Sequence, residues 1–316
     1  MREQFCDVGR GVTLCYETFG DPADPTALLV MGLGTQMVAW QEDFCNELAG
    51  QGLHVVRFDN RDIGRSTHIS GPPPTVRQLL VRSRHAAHYT IADMADDAAL
   101  LLVGLELEPA HVIGASMGGM IAQTLAARHP PLVRSLVSIM STTGSRRCGQ
   151  PSPRVYPILL GRPAYGREAF IARMERVFSV IGSPGLPRDP QDMHAIASLS
   201  YDRDHDPAGP GRQLAAIIAS GDRTGELHRI TAPTLVIHGT ADRLVAPSGG
   251  RATARAIAGA KLVNIPGMGH DLPRAAWPTI IGAIAAHAKR ADSQARRRSA
   301  PHNGAGAASL SGLQGT

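Results

Sequence analysis

Short continuous apolar runs alternate along this chain with stretches of helical spacing, and the alternation lays out most of a fold. Ala27-Leu28-Leu29-Val30, residues 53–58, Ala110 to Gly114, Val133 to Met140 and Pro233 to Gly239 are compact apolar stretches. Such runs mark strands covered on both faces. Trp40, Phe44 and Leu48 at i, i+4 and i+8 predict a helix over 39–49, and Ile91, Met94, Ala98 and Leu101 one over 90–104. A third helix over 117–129 is stopped by Pro130-Pro131. Residues 3–8 and 12–19 alternate polar and apolar around Gly9-Arg10-Gly11, which predicts an antiparallel hairpin at a sheet edge. A helix over 248–258, a strand over 261–265 and a last helix over 275–288 complete the pattern. Strand and helix in strict succession predict an α/β fold on a doubly wound, mostly parallel sheet.

From Ser141 to Leu227 the rhythm changes. Phe170, Met174, Val177, Phe178 and Ile181, then Leu214, Ile217 and Ile218, fall at helical spacing without a buried strand between them. The segment 141–227 is therefore expected to be a helical cap insertion over the carboxyl edge of the sheet, with 1–140 and 228–290 forming the core. Residues 291–316 carry Ser, Ala, Gly and Arg, including Arg296-Arg297-Arg298, without periodicity. That composition predicts a disordered tail.

The formal net charge of +5 comes almost wholly from arginine, since Lys261 and Lys289 are the only lysines. The arginines are scattered and form no stripe, so no nucleic-acid partner is expected. Cys6, Cys15, Cys45 and Cys148 match no Cys-x-x-Cys spacing and are expected to be free thiols in a reducing compartment. No metal or cofactor is implied. The first residues hold no apolar signal segment, and no apolar run is long enough to span a bilayer. A cytoplasmic enzyme, monomeric or a small homo-oligomer and without membrane association, is the expectation.

Candidate chemistry centres on Gly114-Ala115-Ser116-Met117-Gly118, which runs from an apolar strand directly into a helix. A strand-to-helix turn this sharp needs glycines at Gly114 and Gly118, and it holds the Ser116 hydroxyl up at the sheet edge. A serine hydroxyl is a poor nucleophile without a base, and that base needs a carboxylate to fix its tautomer. Asp242, three residues past an apolar strand, and His270, in the glycine-rich turn after the next strand, are the candidates. His54, His111 and His238 read as packed histidines, Asp59 and Asp62 as loop-fixing carboxylates, and Asp271 as pointing away from Ser116. Ser141-Thr142-Thr143 offers no alternative acid.

Five ordered pieces carry a family resemblance: Met31-Gly32-Leu33-Gly34, the 59–66 loop Asp-Asn-Arg-Asp-Ile-Gly-Arg-Ser, Gly114 to Gly119, His238 to Asp242, and Pro266 to His270. On these the chain resembles the α/β-hydrolase fold family, in particular serine carboxylesterases and lipases of the aclacinomycin-methylesterase type. The resemblance implies an eight-stranded, mostly parallel sheet and a Ser116–His270–Asp242 triad acting on a small-molecule ester. It also implies an oxyanion hole from the amides of Met117 and Leu33. Many relatives have His-Gly where this chain has Met31-Gly32, so the amide next to Leu33 stays open as an alternative donor. Thioester hydrolysis, carbon–carbon bond hydrolysis, perhydrolysis without a cofactor, and ligand binding without turnover on the same scaffold also stay open.

Overall fold

The computed structural model describes residues 3–81, 83–159 and 164–299. Eight strands form one sheet: β1 (Gln4–Asp7), β2 (Thr13–Phe19), β3 (Thr26–Val30), β4 (His54–Phe58), β5 (Ala110–Ala115), β6 (Val133–Ile139), β7 (Thr234–Gly239) and β8 (Lys261–Ile265). Their spatial order is β1-β2-β4-β3-β5-β6-β7-β8, with β1–β2 and β2–β4 antiparallel and the remaining pairs parallel. The expected edge hairpin and mostly parallel sheet are both present.

The helices are α1 (Glu42–Ala49), α2 (Val76–Leu80), α3 (Ile91–Gly104), α4 (Met117–Arg128), α5 (Tyr156–Leu159), α6 (Arg167–Ile181), α7 (Pro190–Arg203), α8 (Gly209–Ser220), α9 (Thr224–Leu227), α10 (Ser248–Ala256) and α11 (Trp277–Ser299). On β3, Leu28 and Val30 face a layer built on α3 and α4, while Ala27 and Leu29 face a layer holding Phe44 and Leu48 of α1 and Trp277 and Ile280 of α11. Helices on both faces explain why the strands read as unbroken apolar runs.

Two expectations need correction. The first helix starts at Glu42, not residue 39, because Gln41 is extended (ψ 149°). Trp40 therefore lies outside the helix, where its carbonyl takes the buried Arg57 guanidinium and its ring packs 5.3 Å from Phe44. The last helix also runs nine residues into the segment expected to be disordered, to Ser299. Ala291 is buried there, and Asp292 lies 3.6 Å from Arg134 and 3.4 Å from His111. A buried alanine and a carboxylate facing two basic groups hold the extra turns. The remainder of that tail, residues 300–316, lies outside the described residues.

Candidate active site

The turn from β5 into α4 is strained as its sequence demands. Ser116 has φ 56° and ψ −118°, a conformation non-glycine residues rarely adopt. A Cβ on Gly114 would lie 2.1 Å from the Gly118 carbonyl oxygen, and one on Gly118 would lie 2.1 Å from Val30 O. Only hydrogen fits at either position. The Ser116 amide donates to Ile139 O (2.9 Å), and Ser141 Oγ donates to Ser116 O (2.7 Å), so the end of β6 holds the turn from below.

Ser116 Oγ lies 2.9 Å from His270 Nε2, and His270 Nδ1 lies 2.8 Å from Asp242 Oδ2. The sequence-predicted serine, histidine and aspartate thus form one hydrogen-bonded line, although 154 positions separate Ser116 from His270. Asp242 Oδ1 accepts from the amides of Leu244 and Val245, both at 2.9 Å. That leaves Oδ2 for the imidazole. Burial pushes the Asp242 carboxyl up, but the His270 charge, hydrogen bonds from His238 and His270 and the Val245 amide outweigh it and hold it at about 2. The turns that bring acid and base together cross closely: a Cβ on Gly239 would sit 2.2 Å from Met268 O.

The two amides expected to face the oxyanion, Leu33 and Met117, have no hydrogen-bond partner among the described residues. The neighbouring Gly34 amide is already committed, donating to Gln213 Oε1 at 2.8 Å. The loop carrying Leu33 touches the serine, since a Cβ on Gly32 would lie 3.2 Å from Ser116 Cβ.

Ser116 and His270 open into a cavity of about 1620 Å³. Met31, Met117, Met120, Met140, Met174 and Met193, six of the ten methionines, line it together with Phe178, Leu214 and Ile217. Several of these come from α6, α7 and α8, so the 141–227 segment supplies much of the wall. Its other contacts to the site escaped sequence reading: Ile181 O accepts from the His270 amide (2.7 Å), and Ser183 Oγ accepts from the Gly269 amide (2.8 Å). Asp271 is turned to Ser183 and not to the imidazole.

Asp59 and Asp62 fix their loop as expected, Asp59 accepting from the amides of Met37 (2.7 Å) and Arg65 (3.1 Å) and Asp62 from that of Ile69 (2.7 Å). Each also takes an arginine from the insertion, Arg203 on Asp59 (2.9 Å) and Arg212 on Asp62 (2.7 Å). Asp62, His68 and Asp206 lie close enough together to hold a cation, but the Arg212 guanidinium already bridges the two carboxylates. His54 and His111 are packed as expected, their charged forms disfavoured by burial. His238 is buried as expected, its Nε2 2.9 Å from Val245 O, and it also faces Asp242 Oδ2 at the longer distance of 3.4 Å. The four cysteines are free thiols. No helix among the described residues is long and apolar enough to cross a membrane.

The family model for the alpha/beta hydrolase fold matches residues 25–273. Rhodomycin D methylesterase of Streptomyces sp. (strain C5) is 30% identical over 300 residues, 89% of this chain and 96% of that protein. The Streptomyces peucetius rhodomycin D methylesterase is 29% identical over the same shares. Among solved structures, the enol-lactonase of Burkholderia xenovorans LB400 superposes with a TM-score of 0.67 at 25% identity, covering 92% of this chain and 100% of its own. A 2-hydroxy-6-oxo-6-phenylhexa-2,4-dienoate hydrolase from Rhodococcus sp. strain RHA1 has a TM-score of 0.71 at 18% identity, covering 91% and 98%, and so shares the fold.

Proposed function

Because the chain belongs to the alpha/beta hydrolase fold family, with methylesterases among its relatives, we propose that it is a serine hydrolase cleaving a carboxylic ester through an acyl-enzyme. The observation that carries this reading is the unbroken line from Ser116 Oγ through His270 to Asp242 at the floor of a large cavity. Ser116 Oγ attacks the ester carbonyl while His270 Nε2 takes its proton. The negative charge that develops on the carbonyl oxygen is met by the free amides of Leu33 and Met117. Each such preorganised donor supplies on the order of 3 kcal/mol to the transition state. Collapse expels the alcohol, which takes the proton back from His270. Water, deprotonated by the same imidazole, then releases the acid.

The cavity exceeds the roughly 300–1,000 Å³ usual for small-molecule sites and is largely apolar. Methionine side chains adapt to irregular, polarisable ligands. With the activity named for the two Streptomyces relatives, this supports a small alcohol on a bulky apolar acid, a methyl ester being the expected form. The test is a panel: methyl esters of polycyclic aromatic acids, p-nitrophenyl esters of increasing acyl length, acyl-thioesters and a vinylogous diketone. The reading expects the bulky methyl esters to give the highest kcat/KM. Preference for the thioester or the diketone would replace the ester with that bond.

A further inference from the structure

The loop bearing Leu33 is held by the helical insertion. The Gly34 amide donates to Gln213 Oε1 (2.8 Å), and Gln213 Nε2 donates to Arg61 O (2.9 Å). Gln213 lies on α8 and is fully buried. These partners fix the direction of its amide, since a flipped side chain would oppose donor to donor at Gly34 and acceptor to acceptor at Arg61. Two residues along the same loop, Gln36 Nε2 donates to Ser200 O and Asp204 O, both at 2.7 Å, at the end of α7. A Cβ on Gly34 would touch Pro210 at 3.2 Å, so the first turn of α8 also rests on this loop.

We propose that Gln213 is a positioning residue for the oxyanion loop, supplied by the insertion that also walls the cavity. The proposal rests on the reading of Ser116 as nucleophile and the Leu33 amide as an oxyanion donor. The Leu33–Gly34 peptide is pinned through its own N–H, one peptide plane away from the Leu33 N–H. With that plane fixed, the Leu33 amide cannot swing out of line with the Met117 amide. Without Gln213 the half-buried Gly34 N–H loses its only acceptor among the described residues, and the peptide plane is free to turn. Placement of the cap and assembly of the oxyanion hole are then one event, so a substrate that shifts α8 also shifts the donor that stabilises its transition state.

The test compares four variants on one activated ester. Gln213→Met is expected to lower kcat roughly 10- to 100-fold with KM within about threefold, the size of loss that follows when an oxyanion donor is displaced by about 1 Å. It should weaken a trifluoromethyl-ketone inhibitor by the same factor as kcat/KM, because that inhibitor's hemiketal oxyanion uses the same hole. Ser220→Ala cuts another insertion-to-core contact, from the Ile91 amide to Ser220 Oγ (2.9 Å), at the far end of α8 from this loop. It is expected to keep kcat within about twofold of the wild type, a change too small to displace a catalytic group. Gln213→Glu, kept neutral by its burial and by the Arg61 carbonyl that needs a donor, retains an acceptor for Gly34 and an O–H for Arg61 O; it is measured alongside and alone decides the matter if the methionine variant does not fold. It should retain kcat within about fivefold, a small part of the loss tied to a displaced donor. Wild-type kcat in Gln213→Met, equal losses in Gln213→Met and Ser220→Ala, or a Gln213→Glu loss beyond 10-fold would each overturn the proposal. Ser116→Ala separates the two levels. An inactive Ser116→Ala with normal Gln213 variants removes only the positioning role, whereas an active Ser116→Ala removes the serine reading and this proposal with it.

Discussion

Asp242→Asn is expected to preserve the fold and abolish nearly all turnover, for a reason written in the hydrogen bonds around the carboxylate. Asp242 Oδ1 accepts from two backbone amides, Leu244 and Val245, at 2.9 Å each. In the asparagine variant the amide oxygen must stay there, because an NH₂ group facing two N–H donors would leave all of them without acceptors, the buried Val245 amide included. The NH₂ group is thereby forced into the Oδ2 position, 2.8 Å from His270 Nδ1. It donates to Nδ1, the imidazole carries its proton on Nε2, and Nε2 can no longer accept from Ser116 Oγ. A wrong tautomer in an otherwise intact serine site costs about 10⁴ in kcat, about 5.5 kcal/mol at about 1.36 kcal/mol per tenfold. Initial rates on a p-nitrophenyl ester, with thermal melts to establish that the variant is folded, give the comparison. A folded Asp242→Asn enzyme within tenfold of wild-type kcat would refute the reasoning.

Acid stability should carry the signature of the same carboxylate. Its folded-state pKa of about 2 lies below the ordinary 3.8, so its contribution is fully present above about 3.8 and lost as pH falls towards 2. The amount is on the order of 2 kcal/mol. Urea unfolding at pH 5 and pH 2.5 should show wild type losing that much more than Asp242→Asn, and parallel losses would contradict the assignment. Gly118→Ala, which drives a methyl group against Val30 O, should lower unfolding free energy by about 3 kcal/mol, as overpacking at a rigid contact does. An unchanged urea midpoint would mean the elbow backbone packs differently. Ending the chain at residue 299 gives the reference for the last turns of α11. Ending it at residue 290 removes Ala291 and the Asp292 contacts, and should cost about 1–2 kcal/mol, the scale of one buried small side chain and a half-buried ion pair. Equal melting temperatures would show that the last turns of α11 hold nothing.

The sheet and the three residues of the Ser116 line were legible because each leaves a local mark. Buried parallel strands read as apolar runs, and the elbow reads as glycines at fixed offsets from Ser116. Asp242 and His270 follow strands in turns where glycine permits close approach. What the sequence hid depends on distant partners. Nothing around Gln213 marks it as the acceptor for Gly34, 179 positions away, and nothing around Arg203 or Arg212 marks them as partners of Asp59 and Asp62. The helical continuation past Lys289 was invisible for the same reason, since its composition suits a solvated tail and its order comes from Arg134 and His111. His238 read as core packing, and a strand histidine carries no sign of which carboxylate it will also face.

The central claim is that Ser116 becomes acylated. The direct measurement is rapid quenching of the protein with an activated ester during turnover, followed by mass spectrometry of the peptide carrying Gly114 to Gly118. The account predicts one acyl group per chain on Ser116, an initial burst of leaving group of the same stoichiometry, and loss of both in Ser116→Ala along with a fall of about a million-fold in kcat. Turnover at the wild-type rate with no acyl group on Ser116, or with the burst intact in Ser116→Ala, would contradict it.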